Sequence, residues 1–372
     1  MRDNSIETSK KYDFVFIFCS MPALTGYFFS VFDIFVMIFF IYSTSSNAFF
    51  YKKAFVFLVI CVFFVFLSSI VSVDSFNFSK FISYIFLFFV LYAVYHLLKS
   101  NFFSANGALF YWAIGLIPGF FLAVFQQMFP EYEVLNFNEL KSNPVPGYGF
   151  IRASGFLYNP NSFAAYSIVC FLYFIYKNKS FAALLSFFSV ILTFSKTIFL
   201  IPFLYLSYSI FSLKIKRILN SLFFLVFLFI LFGDLFLSLF EHRISKANSF
   251  ESRVTIVDYY LSLELTVSQL FLGHGAFSDV AELGRIHNKF VSMYYQFGLV
   301  GLFLISFFYF FPFLVVFKRR IDYSTKIFLL LSLGSLCSLA MVSTLTFFSF
   351  EYVIILILLL YPKEFKAQDS TN

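Results

Sequence analysis

The chain has 372 residues, of which 61% are hydrophobic and only 12% are charged. Soluble domains carry about a quarter charged residues, so this composition excludes a chain that folds mainly in water. The formal net charge of +7 would indicate an anionic partner in a soluble protein. In a membrane protein the distribution of the basic residues matters more than their sum, and no nucleic-acid partner is implied.

Apolar runs long enough to cross a bilayer, which takes about 20 residues per helix, recur along the whole chain. They predict helices at roughly 54–72, 81–98, 108–128, 159–176, 180–194, 196–213, 218–240, 290–316, 327–346 and 350–361. Residues 12–46 form either one long tilted helix or two short helices that turn near Gly26 to Ser30. The first run is too long for a signal-peptide core, so we expect it to be retained.

The basic residues favour two helices in this first segment. Two helices give 12 spans, with 17 of the 26 Lys and Arg residues on the N-terminal side and nine on the other. A single helix would place the tight clusters at 214–217 and 318–320 outside, against the positive-inside rule. The prediction is an all-α polytopic membrane protein, one integral domain over residues 1–372, with about 12 transmembrane helices and both termini cytoplasmic.

Two segments, residues 129–158 and 241–289, are too long and too polar to be simple connections. Both fall on the external side of the predicted topology. Long loops in an otherwise economical chain tend to carry function, so we expect the chemistry there.

The end of the first external loop reads Phe-Ile-Arg-Ala-Ser-Gly-Phe-Leu-Tyr-Asn-Pro-Asn over residues 150–161. Asn159 can cap the helix that follows, and Pro160 suits its first turn. Such a helix start presents backbone N–H groups to an anion, and Arg152 could add a bidentate phosphate contact. An ordinary helix cap with a solvated arginine would give the same pattern.

The second external loop begins with an amphipathic stretch over residues 253–265. Its apolar positions predict a helix lying at the membrane surface, with Arg253 near headgroup level; an interfacial anchor is the alternative interpretation. Gly273-His274-Gly275 then predicts a flexible turn. His287 comes just before the next predicted span, at a membrane boundary.

Taken together, these motifs resemble the superfamily of O-antigen ligases and O-antigen polymerases. The segments that carry the resemblance are Arg152 to Gly155 with Asn159 to Asn161, Ser252-Arg253, Gly273-His274-Gly275, His287-Asn288, and Gly298 to Gly301. One departure is Ser195-Lys196-Thr197, where many relatives carry Ser-Arg. Lysine keeps the charge there but loses the bidentate fork.

The resemblance implies a GT-C type glycosyltransferase of the bacterial inner membrane that works at the periplasmic face without a metal or another cofactor. Its donor would be an undecaprenyl-diphosphate-linked glycan, its acceptor a second glycan, and a chain-length regulator is a further candidate partner besides the bilayer. Arg152 and Arg253 would stabilise the leaving diphosphate, and His287 would take the acceptor proton. The remaining candidate substrate-binding residues are Asn288, Arg285, Lys196, Asn159 and Asn161.

Asn288 would orient the acceptor or only cap the next helix. Polymerase and ligase use the same donor and differ in the acceptor; by analogy with the family, the generally short external loops and the strong compositional bias resemble the polymerases more. A metal site from His242, His274 and His287 has spacings of 32 and 13 residues, which match no compact ligand motif. A transporter with pathway charges at Asp33 and Asp234 is the rival of a different class, although transporters commonly have repeated halves.

Overall fold

The computed structural model describes residues 12–19, 21, 30–46, 52–71, 78–129, 151–157, 159–193, 200–211, 264–274, 288–342 and 349–361, with positions 255, 258, 259 and 262. Every regular element in these residues is helical. The helices are α1 Phe16–Cys19, α2 Val31–Ser46, α3 Lys52–Val71, α4 Phe78–Lys99, α5 Ala105–Ile114, α6 Leu116–Met128, α7 Pro160–Tyr176, α8 Ser180–Leu192, α9 Leu200–Phe211, α10 Val267–Leu272, α11 Lys289–Lys318, α12 Tyr323–Val342 and α13 Ser349–Leu360. The all-α prediction is confirmed for these residues, and the predicted span at 218–240 lies outside them.

The first predicted segment contains two helices that lie side by side. The rings of Tyr12 and Phe39 are 5.0 Å apart, and those of Phe16 and Phe32 are 5.3 Å apart. In one straight helix Tyr12 and Phe39 would be separated by about 40 Å. The single-helix alternative is therefore excluded.

Helix α7 is the central helix of the bundle. Fourteen of its residues, almost all of those between Pro160 and Phe174, are buried. It packs against α8 and α12, and the hydroxyl of Tyr166 donates to the carbonyl of Trp112 across the core at 2.6 Å. Its N-terminus is consequently held on a rigid, well-packed element.

Polar contacts join helix ends into two groups at opposite ends of the bundle. At one end they pair Asp13 with Ser104, Tyr361 with Asn106, and Tyr176 with Thr325. The basic residues in these turns are Lys99, Lys177, Lys179, Lys318, Arg319, Arg320 and Lys326, all of which belong to the side predicted to be cytoplasmic. We call this the basic end; the side of the membrane that it faces stays a prediction.

Two helices of the described residues are long and apolar enough to cross a membrane, Ala105–Met128 and Lys289–Lys318. The second is not straight. Gly298 has φ 64° and ψ −158° inside α11, and the Lys289 ammonium lies 3.4 Å from the hydroxyl of Tyr309, whereas a straight helix would separate those residues by about 30 Å.

Helix α11 therefore consists of a first arm, residues 289–297, folded back at Gly298 against a second arm, residues 299–318. The rings of Phe290 and Tyr309 are 5.6 Å apart, which agrees with this fold-back. The second arm alone, at about 30 Å, has the length of a bilayer core.

Large apolar side chains cover the outer surfaces of α3 and of the second arm. They include Val56, Phe57, Ile60, Phe63, Phe303, Leu314 and Phe317, each about half exposed or more. Soluble monomers rarely expose continuous apolar faces of this kind, which mark contact with lipid or with another protein.

Candidate functional site

Arg152 lies at the N-terminus of the central helix and is held there by two hydrogen bonds. Its Nη2 donates to Oδ1 of Asn161 at 2.8 Å, and its Nε donates to the carbonyl of Thr193 at 3.2 Å. The sequence predicts the helix start but not this pair of bonds. Because α7 and the end of α8 are both packed in the core, the bonds fix the plane of the guanidinium.

The start of α7 has the predicted cap. The side chain of Asn159 accepts a hydrogen bond from the backbone N–H of Asn161 at 2.8 Å, and Pro160 occupies the first turn. Both asparagines therefore make structural contacts, and their predicted role in substrate binding stays a prediction. Asn159 completes the helix end, and Asn161 positions Arg152.

Two adjacent amides that the sequence analysis did not single out fix the chain before α7. Gln126 accepts from the N–H groups of Ser154 and Gly155 at 3.0 and 3.1 Å, and Gln127 donates to the carbonyls of Ile151 and Leu192. Amide side chains inside an apolar run are costly unless they are bonded. Two adjacent glutamines in an apolar run were therefore the sequence signal that could have indicated these contacts.

Gly155 is required by the geometry of this segment. It has φ 54°, and a Cβ there would lie 2.9 Å from the ring of Phe163 and 3.1 Å from the carbonyl of Gly119. The segment can therefore approach α6 and α7 only with glycine at this position.

Two buried hydroxyls occur close to Arg152 in the sequence. The Oγ atoms of Ser154 and Ser162 are buried, and neither has a hydrogen-bond partner among the residues that the structure describes. A buried hydroxyl without a partner costs about 1–3 kcal/mol, and native structures usually satisfy such groups with water or a ligand. The guanidinium of Arg152 and the capped helix start together suit an anion.

Asn288 is the N-cap of α11. Its side chain accepts from the N–H groups of Phe290 and Val291 at 3.0 and 3.2 Å. Of the two predicted roles the structure supports the cap. The position at a membrane boundary was predicted for His287, which lies outside the described residues; the fold-back places Lys289 beside Tyr309, about 15 Å along the second arm.

The turn at Gly273 and His274 is packed rather than flexible, which corrects the prediction from sequence. A Cβ at Gly273 would lie 2.4 Å from the backbone of Gln296. The N–H of His274 donates to the carbonyl of Tyr295 at 2.9 Å, and the two rings stack with centroids 4.3 Å apart. Burial lowers the pKa of His274, and its backbone bond to Tyr295 opposes that shift.

Ser68 and Tyr84 hold this turn against α3 and α4. The hydroxyl of Ser68 donates to the carbonyls of Leu272 and Gln296 at 3.0 and 3.2 Å, and the hydroxyl of Tyr84 donates to Oε1 of Gln296 at 3.1 Å. The turn therefore lies at the end of the bundle opposite the basic end.

Four candidate residues, Arg253, Arg285, His287 and Lys196, lie outside the described residues. The same is true of most of the predicted surface helix at 253–265 and of the loop from 130 to 150. Whether Arg253 and His287 share a site with Arg152 stays a prediction.

A cavity of about 380 Å³ lies at the basic end, away from Arg152. Asp13, Asn106, Tyr111, Lys177 and Lys179 are among the residues that line it. Burial lowers the pKa of Lys177, and the carboxylate of Asp322 opposes that effect. The cavity is separate from the predicted chemistry, because its walls come from the helix ends opposite the start of α7.

The alternative hypotheses named a transport pathway with Asp33 and Asp234 and a metal site of three histidines. The structure gives Asp33 a local role in capping a helix. The Asp33 carboxylate accepts from the N–H of Ser30 at 2.9 Å, and the Ser30 hydroxyl accepts from the N–H of Asp33 at 3.1 Å, which is a reciprocal cap of α2. Asp234, His242 and His287 lie outside the described residues. Within the residues described, no group of three or more His, Cys, Asp or Glu side chains could hold a metal ion.

No family model matches the sequence. No curated protein sequence matches it either.

Proposed function

We propose that this chain is a membrane glycosyltransferase that polymerises undecaprenyl-diphosphate-linked repeat units of a surface polysaccharide. In this proposal it belongs to the GT-C type, has about 12 spans, and works at the periplasmic face of the bacterial inner membrane. The apolar outer faces of α3 and of the second arm support residence in a bilayer. The segments that resemble the O-antigen ligase and polymerase superfamily support the reaction.

The observation that carries the proposal is the fixed guanidinium of Arg152 at the capped start of α7. Glycosyl transfer from a lipid diphosphate leaves an additional negative charge on the departing diphosphate, on the oxygen that was bonded to the sugar. A cation whose orientation is set before reaction stabilises that charge without reorganisation. The backbone N–H groups of the first turn of α7 add to the same positive potential.

Arg253 and His287 complete the proposed chemistry from outside the described residues. Arg253 would be the second cation on the diphosphate, and His287 would take the proton from the acceptor hydroxyl as it attacks the anomeric carbon. The bond from that carbon to the diphosphate oxygen breaks, and the lipid diphosphate leaves. No metal is needed if two guanidinium groups hold its charge.

The test is complementation of a strain that lacks the native protein. Arg152→Ala should abolish long polysaccharide at normal protein level, and Arg152→Lys should restore little, because an ammonium cannot reproduce the bonds to both Asn161 and Thr193. Arg320→Ala is the matched control, since Arg320 is an exposed arginine at the basic end. Unchanged polysaccharide in Arg152→Ala would refute the proposal.

The alternative within the family is an O-antigen ligase that transfers the glycan to lipid A-core. A gel of the polysaccharide from a null strain distinguishes the two enzymes. A polymerase null should leave lipid A-core with at most one repeat unit. A ligase null should leave bare core and a pool of polymer on the carrier lipid. A transporter null would instead deplete lipid-linked units on the outer side.

A further inference from the structure

The cavity at the basic end lies between the start of one span and the end of the central helix. Asn106 and Tyr111 of α5 form one wall, and Tyr173 and Lys177 of α7, with Lys179 in the turn that follows, form another. Its volume of about 380 Å³ is within the range of small-molecule sites. Aromatic rings and charged groups in the same walls suit a ligand that is polar at one end and apolar at the other.

Lys177 is held in position by aromatic rings. Its Nζ lies 5.1 Å from the ring centroid of Tyr176 and 5.9 Å from those of Tyr173 and Tyr361, distances at which a ring face attracts a cation. Tyr176 is itself fixed by a hydrogen bond of 2.7 Å between its hydroxyl and that of Thr325. The ammonium of Lys177 is therefore kept at the end of α7, beside the cavity.

Positive charge predominates around the cavity. Lys177 and Lys179 line it, and Asp13 is the acidic residue of its lining. The Asp13 carboxylate accepts from the N–H and the hydroxyl of Ser104 at 3.0 and 2.7 Å and is only 1% exposed, so it stabilises the wall and offers a ligand little surface. Asp322 is the other acidic residue in the described turns of the basic end, where lysines and arginines are more numerous. We therefore expect a ligand of this cavity to be anionic.

An apolar stripe on the outer surface begins at the cavity. Phe110, which lines the cavity, is exposed, and so are Ile117, Phe121 and Phe125 further along the span Ala105–Met128. Spacings of seven and four residues place these side chains on one face of a helix. The stripe leads away from the basic end and has the character of a surface that contacts hydrocarbon. It suits the acyl chains of a lipid whose headgroup occupies the cavity.

We propose that this cavity binds the headgroup of an anionic phospholipid, with Lys177 and Lys179 at its phosphate and the acyl chains along the stripe that begins at Phe110. The inference rests on the residence in a bilayer that is part of the proposed function, and the lipid site is separate from the proposed donor site at Arg152. Basic pockets between spanning helices are known to bind lipid headgroups. A bound lipid would join the start of α5 to the end of α7 and stabilise the folded protein.

The experiment titrates dioleoylphosphatidylglycerol into the purified, delipidated full-length protein in detergent. The readout is the midpoint of thermal unfolding, followed by the fluorescence of the one tryptophan, Trp112. A ligand that binds the folded state raises this midpoint as its concentration increases. Dioleoylphosphatidylcholine, which has the same chains and no net charge, should raise the midpoint less at every concentration. Equal rises with the two lipids would overturn the inference.

Two double variants test whether the cavity lysines are responsible. Lys177→Gln with Lys179→Gln should need about tenfold or more phosphatidylglycerol for the same rise in the midpoint, because each lysine near anionic lipid contributes about fivefold. The matched control is Lys318→Gln with Arg320→Gln, which removes the same charge from exposed residues of the same end outside the cavity. The control should respond like the wild type. Equal losses in both pairs would mean general surface attraction and would overturn the inference.

A single variant covers the case in which the cavity pair does not accumulate. Lys179→Gln changes an exposed position and should need about threefold or more lipid for the same rise; a wild-type response would overturn the inference. Inorganic phosphate and glycerol 3-phosphate supply the same phosphate chemistry without acyl chains. If either raises the wild-type midpoint as strongly as the lipid does, the site belongs to a soluble phosphate compound and the inference fails.

The lipid site and the proposed function fail separately. Arg152→Ala should respond to phosphatidylglycerol like the wild type, since Arg152 does not line the cavity. Loss of polysaccharide in Arg152→Ala, together with equal responses of the wild type to both lipids, would support the transferase and refute the lipid site. Unchanged polysaccharide in Arg152→Ala, together with a response of the wild type to phosphatidylglycerol that depends on Lys177 and Lys179, would refute the transferase alone.

Discussion

Gly298 is the position at which a single methyl group should do the most damage to this fold. Its φ of 64° and ψ of −158° lie in a region that is essentially restricted to glycine, so alanine there costs about 1–3 kcal/mol in backbone strain. A Cβ would also lie 2.4 Å from the carbonyl carbon of Phe271, where ordinary contacts are 3.4–4 Å. Gly298→Ala must therefore push α10 away from α11 by about 1 Å.

That displacement would break the bonds that cross the contact. They are the bond from His274 to Tyr295 and the bridge in which the Ser68 hydroxyl of α3 is shared between the carbonyls of Leu272 and Gln296. Each contributes about 0.5–1.5 kcal/mol net. Together with the strain, we expect Gly298→Ala to lower the free energy of unfolding by about 3 kcal/mol or more.

Intrinsic fluorescence during thermal unfolding can measure this, since the one tryptophan, Trp112, is fully buried. For a chain of 372 residues, a loss of this size should lower the midpoint by about 4 °C or more. The control is Gly334→Ala in α12, where a Cβ meets no atom within 4 Å. It should be neutral or stabilise by up to about 1 kcal/mol through helix propensity, and equal midpoints for the two variants would refute the fold-back at Gly298.

Two further changes test the contacts at either end of the bundle. Burial lowers the pKa of His274, so the unfolded state takes up a proton first as the pH falls, and the free energy of unfolding should decrease below about pH 6.5. His274→Phe keeps the stack on Tyr295 and should lose this pH dependence. A difference in stability between the two proteins that stays constant from about pH 8 to 5 would contradict the prediction. Asp13→Ala removes the acceptor for the N–H and hydroxyl of Ser104, at 3.0 and 2.7 Å, and should cost about 2–3 kcal/mol; an unchanged midpoint in the same fluorescence scan would exclude that role.

Helix positions and caps could be predicted from the sequence because their causes are local. Asn159-Pro160 and Asn288 stand directly before apolar runs, and both asparagines accept the backbone bonds that such positions favour. Of the basic residues that the charge pattern assigned to one side, those that the structure describes in the turns between helices lie at one end of the bundle. Local composition and the spacing of charges were sufficient for these features.

The fold-back of α11 could not be predicted, because an unbroken apolar run of 30 residues looks the same whether it is straight or folded. Its cause is a contact between distant segments, in which Gly273 and Gly298 each allow the other backbone to approach within 3 Å of where a Cβ would stand. Glycines in two separate segments give no sign of facing each other. The prediction of a flexible turn at Gly273 was wrong for the same reason, since flexibility was inferred from glycine alone.

The cations at the two ends of the bundle differ in what holds them, and this difference favours binding of a specific anion away from the basic end. Lys179, Lys318 and Arg320 are exposed, as expected for residues that interact with headgroups and solvent. Arg152 is instead partly buried, and hydrogen bonds to Asn161 and Thr193 fix its orientation. Desolvating and orienting a cation in advance costs stability, and under the proposed function that cost would be recovered when negative charge develops on the departing diphosphate beside Arg152.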